Sequence, residues 1–204
     1  MRKTGIIVCE ESQEVCKAFR ARSINMYSCD LLPCSGGHPE WHLQGDLFEQ
    51  IKKLKNLTFV GAHPPCTFLA NSGVGRLYNE DGSINKQRWE SMREGAYFFK
   101  TLIKLIQKVG KGYIENPILH RHALKIIGEM PSQLIQPYQY GHPETKATYL
   151  WVYGIPLLRP TYLRNGREHN IIAMGGGKKR AFLRSKTYPG IAAAMAMQWS
   201  NKII

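Results

Sequence analysis

The chain predicts a doubly wound α/β fold with a mostly parallel sheet. Three observations point there. Short apolar runs of strand length alternate with segments of helical period along most of the chain. Several of those runs stop at a polar cluster, often with proline, so chemistry-bearing residues gather at strand ends. At 204 residues, 43% hydrophobic and 21% charged, the chain suits one domain with a sizeable core and is too apolar for wholesale disorder.

The first run, 5–9 (Gly-Ile-Ile-Val-Cys), reads as a buried parallel strand. A helix over 12–22 follows, with Val15, Ala18 and Phe19 at helical spacing and Ser12 as its expected cap. Residues 26–29 form a second strand running into Asp30, and 33–45, rich in Gly, Pro and His, read as a loop. A short helix is expected over 47–54, then a third strand over 58–62, stopped by Pro64-Pro65. The polar stretch 71–85 reads as a loop. Over 87–109, Trp89, Met92, Ala96, Phe99, Ile103 and Ile106 recur at intervals of three and four, the signature of a long amphipathic helix. A fourth strand over 112–115 ends at Asn116-Pro117. A helix over 123–130, strands over 134–138 and 148–153, and an Ala- and Met-rich helix over 190–201 complete the order.

Charge narrows the function classes. The formal net charge is +13, an excess that suits a polyanion, most simply nucleic acid. No apolar run is long enough to span a bilayer, and the apolar stretch after the basic start is too short for a secretory signal, so no membrane association is expected. Five cysteines, odd in number and without disulfide-framework spacing, point to a reducing, cytoplasmic setting. Cys29, Cys34, His38 and His42 are zinc-ligand types, but their spacing fits no standard finger, and no metal is expected.

Four strand ends carry polar groups: Glu10/Glu11, Asp30, His63-Pro64-Pro65-Cys66 and Glu115-Asn116-Pro117. An acid after the second strand commonly accepts from a ribose in nucleotide-binding sheets. Cys66, on a turn stiffened by two prolines, is either a nucleophile met by a carboxyl from a neighbouring strand or an inert packing residue.

The order of these motifs resembles the cytosine-5 DNA methyltransferase family, and the overall pattern resembles its small phage-type members without a full target-recognition domain. His63-Pro64-Pro65-Cys66 is similar to the family's Pro-Cys motif and Ile114-Glu115-Asn116-Pro117 to its Glu-Asn motif. Gly45-Asp46-Leu47 resembles the element that contacts the cofactor's adenine. Residues 141–148 parallel a Gly-x-Pro-Gln-x-Arg-x-Arg stretch, and 185–196 the closing motif and helix. The resemblance implies a Rossmann-like sheet of the S-adenosylmethionine-dependent methyltransferase type, in a single domain over 1–204. It also implies methyl transfer to C5 of a cytosine flipped out of DNA. Cys66 would be the nucleophile on C6, Glu115 the partner of N3, Asn116 the residue fixing the turn, and Lys146 a contact to the base or a phosphate. Glu10, Glu11, Ser12, Asp30, Asp46 and Pro65 would line the S-adenosylmethionine pocket.

The chain departs from the family's pattern in three places. Glu11-Ser12-Gln13-Glu14 stands where the family has a glycine-rich cofactor loop. Thr67 replaces the Gln after the nucleophile, and only Lys146 keeps a charge of the Gln-x-Arg-x-Arg set. About 30 residues separate Trp151 from Arg184, in place of a recognition domain. That basic region, about 154–184, holds Arg159, Arg164, Arg167, Lys178, Lys179 and Arg180, suited to phosphates rather than base readout. Two alternatives stay open: a DNA-binding or decoy protein on the same fold without turnover, and an enzyme using Cys66 and Glu115 on pyrimidine nucleotides with another donor.

Overall fold

The structure is a computed structural model, and it describes residues 3–165, 168 and 185–203. Its centre is a strand whose side chains alternate between two cores. In β1 (Thr4–Val8), Ile6 and Val8 point to one face of the sheet and Ile7 to the other, all fully buried. That division follows from the two-residue period of an extended chain and requires helices on both sides. On the first face lie α3 (Lys86–Val109) and α4 (Arg121–Ile127), which bring Met92, Phe99, Ile106, Ala123 and Ile127. On the second face α1 (Glu14–Arg20) packs on α5 (Pro189–Ile203), contributing Val15, Phe19, Ile191, Met195 and Trp199.

Seven strands form one sheet in the order β3-β2-β1-β4-β5-β7-β6. The others are β2 (Met26–Asp30), β3 (His42–Gln44), β4 (Leu57–Ala62), β5 (Gly112–Pro117), β6 (Gln133–Ile135) and β7 (Thr148–Tyr153). The first five run parallel, and β7 inserts antiparallel between β5 and β6. This is a Rossmann-like, doubly wound, mostly parallel sheet. The chain leaves β1 for one edge through β2 and β3, then returns to β4 on the other side of β1. The carboxyl ends of β1 and β4 therefore flank the crevice where open α/β sheets take ligands. Gly61 lets β4 pass close to its neighbours there: a Cβ would stand 2.6 Å from the Tyr113 ring and 2.7 Å from Ile7 Cδ1.

The structure corrects the expected elements at several points. Residues 42–44, expected as loop, form the parallel edge strand β3, held by pairing with β2 rather than by an apolar run. Residues 71–77, expected as loop, form a 3₁₀ segment. The short helix α2 (Leu47–Ile51) stops before 54, and the strand expected over 134–138 is Gln133–Ile135 followed by a 3₁₀ turn. Helix α1 starts at Glu14, and Ser12 does not cap it. Cys9 and Gln13 both adopt left-handed backbone, φ 57° and 59°. The chain between them folds back so that Glu10 caps α1 instead, its carboxyl accepting from Val15 N at 2.6 Å and Cys16 N at 3.2 Å.

Glu10 is 4% exposed, and burial pushes its carboxyl from an ordinary 4.5 up to about 8 against the pull of those two amides. The folded chain thus keeps a proton that the unfolded chain releases near its ordinary value. Between those two values the native state binds more protons, so its stability falls as pH rises, by up to about 1.4 kcal/mol per pH unit. Glu10→Gln keeps an oxygen for the amides but cannot titrate. Urea unfolding from pH 5 to 8 should show wild type losing stability relative to Glu10→Gln with each step. Parallel pH curves for the two proteins would show that Glu10 is not the titrating group.

Candidate active site

Two turns leave the carboxyl ends of neighbouring parallel strands, and a buried amide joins them. After β4 the chain runs His63-Pro64-Pro65-Cys66, and after Glu115 β5 ends at Asn116-Pro117. The proline rings fix φ at both turns. Asn116, 1% exposed, donates from Nδ2 to the Pro64 carbonyl at 2.7 Å. Downstream, the Cys66 carbonyl accepts from Leu69 N and Ala70 N at 3.0 and 2.9 Å, which closes a tight turn. Ala70 bridges antiparallel to Leu119, with Asn71 N on Ile118 O at 2.8 Å and His120 N on Leu69 O at 3.0 Å. The Cys66 turn is therefore fastened on both sides to the segment that follows Glu115.

Cys66 lies on a cavity of about 580 Å³ that it shares with Pro65, Thr67, Arg76, Pro117 and Lys146. That is ample for a nucleobase with part of its sugar. Lys146 is carried by the loop before β7, where Gln136 Oε1 accepts from its backbone N at 3.1 Å. Its ammonium lies 5.8 Å from the centre of the Tyr188 ring. The same loop meets the start of α5, where Gly190 N donates to His142 Nε2 at 2.9 Å.

Glu115 is half-buried on β5, opposite Leu150 of β7, and is not among the residues lining that cavity. Behind the Cys66 turn stands a pair that the sequence does not single out. His63 Nε2 lies 2.8 Å from Tyr113 Oη. Burial, with the charges of Glu10 and Glu115 adding to it, pushes the Tyr113 phenol well above its usual range, so it keeps its proton. Burial lowers His63; Glu115 opposes that shift and Lys146 adds to it. Glu115 and Lys146 thus both act on this one imidazole.

The ends of β1 and β2 are organised differently. Glu10 faces the amides of α1 rather than the crevice. Ser12 is buried, and Glu11 accepts from the Ser35 hydroxyl. Gln13, fully buried, is the hub: Nε2 donates to Ser28 Oγ at 3.1 Å and His38 O at 2.9 Å. Its Oε1 accepts from His38 N at 3.1 Å and Cys34 Sγ at 3.2 Å. Asp30 and Asp46 sit together, since Gly45 N donates to the Asp30 carbonyl at 2.9 Å. Asp30 Oδ1 takes Leu32 N at 2.9 Å, and Asp46 Oδ1 takes Phe48 N and Glu49 N of α2 at 2.9 and 3.2 Å.

The cysteine and histidine run with zinc-ligand residue types disperses over separate partners. Cys34 joins Gln13, His38 stacks on Trp41 at 3.8 Å, and His42 meets Ser28 and Leu32. Among the basic residues expected to meet DNA, Arg159 and Arg164 are exposed. Arg159 is fixed through its backbone by Gln198 and Arg164 by the Tyr138 carbonyl. Arg167, Lys178, Lys179 and Arg180 lie outside the described residues.

Asn116→Ala should leave the buried Pro64 carbonyl without a donor, at a cost of about 1–3 kcal/mol. It should also release the Cys66 turn. Chemical denaturation will read the first effect, and faster alkylation of Cys66 by iodoacetamide in the folded protein the second. An unchanged alkylation rate would mean that other contacts hold the turn.

No family model matches the chain, and no curated protein matches it. Among solved structures it is similar to a triply substituted Spodoptera frugiperda DNMT2, at 13% identity over 81% of this chain and 54% of that one, with a TM-score of 0.42. It is also similar to the S. pombe Dnmt2 methyltransferase, at 9% identity over 84% of this chain and 54% of that one, with a TM-score of 0.45. The chain spans about half the length of those two proteins.

Proposed function

We propose that the chain transfers a methyl group from S-adenosylmethionine to C5 of cytosine in DNA through a covalent adduct with Cys66. The observation that carries this reading is the lacing of the Cys66 turn to the end of the Glu115 strand by the Asn116–Pro64 hydrogen bond, above a cavity of nucleobase size. A net charge of +13 favours the polyanionic substrate.

The residues at the ends of β2 and β3 fit the nucleoside half of the cofactor. Asp30 and Asp46 each accept through Oδ1, which leaves Oδ2 for ribose hydroxyls or the adenine amino group. The exposed Leu31 and Leu32 beside Asp30 suit the adenine face. When bound there, S-adenosylmethionine supplies the methyl group that C5 takes up.

The chain's own residues do the rest. Cys66, as thiolate, adds to C6 and shifts electron density to C5. Glu115, not on the cavity lining itself but two residues before Pro117, which is, would turn in to hold a proton at N3 and so stabilise the enamine. Lys146 balances charge on the base or its phosphate. Asn116 keeps Cys66 in attack position, where a displacement of about 1 Å costs about a hundredfold in rate. Solvent takes the C5 proton, and the electron pair left at C5 reforms the C5–C6 double bond and expels Cys66 as thiolate.

A second reading, nucleic-acid binding without turnover, is favoured by one observation: Ser12 and Gln13, both buried, belong to the stretch 11–14 that stands where the resembled family carries its glycine-rich loop. A thermal-shift titration separates the two, because a ligand that binds only the native state raises its stability by mass action. S-adenosylmethionine should raise the melting temperature; no shift at millimolar concentration would favour the second reading.

Cys66→Ala should abolish labelled methyl transfer while leaving the melting temperature within a few degrees of wild type. DNA containing 5-fluorocytosine should trap wild type covalently, since fluorine cannot leave as a proton does. Glu115→Gln should lower kcat by about a hundredfold or more, with DNA affinity changed only a few-fold. Full activity of Cys66→Ala would end the mechanism, and equal losses of rate and affinity would make Glu115 a structural residue.

A further inference from the structure

The 3₁₀ segment Asn71–Leu77 is a thin wall with a cavity on each side. Ser72, Gly73 and Arg76 face the Cys66 cavity. Asn71, Val74 and Gly75 face a second cavity of about 340 Å³, completed by Tyr78 and by His120, Arg121 and His122 from the start of α4. The second cavity is of nucleobase size, and its aromatic walls are pre-set. Tyr78 and His122 both stand edge-on to Trp89 of α3, at 6.4 and 4.9 Å between ring centres. Base stacking needs rigid rings of this kind.

The wall is also ringed by cations without counter-charges. Among the described residues, none of Arg76, Arg88 and Arg121 has a carboxylate within ion-pair range. Arg88 is held in place by stacking on Phe68 at 4.3 Å and by donating to the Thr67 carbonyl at 2.8 Å. Burial, and then the charge of Arg76, lowers its proton affinity. An anion lying across the wall would relieve that repulsion. Two base-sized cavities separated by a wall with an arginine on each side match the repeat of a nucleotide strand: base, phosphate, base.

We propose that the second cavity seats the base adjacent to the target cytosine, with the linking phosphate crossing the wall between Arg76 and Arg121, and that the substrate is an unpaired DNA strand. The proposal rests on the reading of Cys66 as the nucleophile toward cytosine, which places the target base in the first cavity. The unpaired strand follows from the geometry. Seating two neighbouring bases in separate cavities takes both out of any duplex stack, at a cost of a few kcal/mol for each base. A strand that is already single escapes that cost.

The test is equilibrium binding, by fluorescence anisotropy, of short labelled single strands that carry one cytosine. Three probes are compared: intact, abasic on the 5′ side of the cytosine, and abasic on the 3′ side. In wild type one abasic probe should bind about tenfold more weakly than the intact strand, the loss expected for one stacked base. The fully paired duplex should bind more weakly than the single strand. In Tyr78→Ala/His122→Ala the intact and abasic probes should bind alike, at the weaker affinity, whereas Tyr78→Phe should keep the preference. Should the double variant not fold, Arg121→Ala at an exposed position gives a second measure. Losing one phosphate contact should flatten the slope of log affinity against log salt by about 0.7 on single strands.

Equal affinity for all three strands, a duplex that binds as tightly as the single strand, or an unchanged slope in Arg121→Ala would overturn the proposal. Flank-dependent binding without 5-fluorocytosine trapping would overturn the reaction and leave the subsite standing. Trapping with no flank preference would overturn the subsite alone, and the absence of any DNA binding would overturn both.

Discussion

One hydrogen bond sets the geometry on which the rest of the site depends: Asn116 Nδ2 to the Pro64 carbonyl at 2.7 Å. Parallel strands leave their carboxyl ends side by side, but the loops that follow are not paired by the sheet. Nothing in strand pairing alone would hold a proline turn over its neighbour. The two prolines remove backbone donors and fix φ, so the turn is stiff but cannot fasten itself. Asn116 supplies the missing donor from β5, and the Ala70–Leu119 bridge secures the same loop further on. Cys66 stands between these two anchors.

The two halves of the crevice are built on opposite plans. On the β4–β5 side, main-chain groups and one amide hold loops that frame an open cavity. On the β1–β2 side, long side chains fill the space themselves: Glu10 turns inward to cap α1, and Gln13 ties β2 to the loop through His38 and Cys34. Glycines in that place would leave room for a ligand against the backbone. Further out, the Asp30 and Asp46 carboxylates accept from the backbone of the segments that follow them.

What the sequence made legible follows from which signals are local. β1, β2, β4, β5 and β7 read as strands, and α3 from its three- and four-residue spacing, because burial runs along the strands and along one face of the helix. β3 did not, since an edge strand of His42, Leu43 and Gln44 carries a single aliphatic residue and is held by pairing alone. Residue type alone puts the start of α1 at Ser12, an ideal cap, whereas the helix begins at Glu14. Only the left-handed turns at Cys9 and Gln13, conformations uncommon for residues other than glycine, reveal that Glu10 takes that role. Cys66 and Asn116 were readable as motif residues. The Tyr113–His63 pair was not, because a tyrosine inside a buried strand gives no sign of its polar partner. Gln13, which fixes a whole loop, belongs to a residue type with no sequence signature of burial.

The arginines around residues 71–77 extend the same reasoning to charge. A surface guanidinium with water around it needs no partner, and a basic face alone means little. Arg88 is different, because stacking on Phe68 and donating to the Thr67 carbonyl restrain its position. The charge of Arg76, which lines the Cys66 cavity, adds to burial in lowering the proton affinity of Arg88. A geometry that is unfavourable in the free protein becomes favourable once an anion lies between the charges, and that difference is what separates a binding surface from a solvated one. The wall that carries Arg76 is the segment pinned by Asn71 to Ile118. The same backbone contacts that fasten the Cys66 turn thus also fix the start of the segment that carries Arg76.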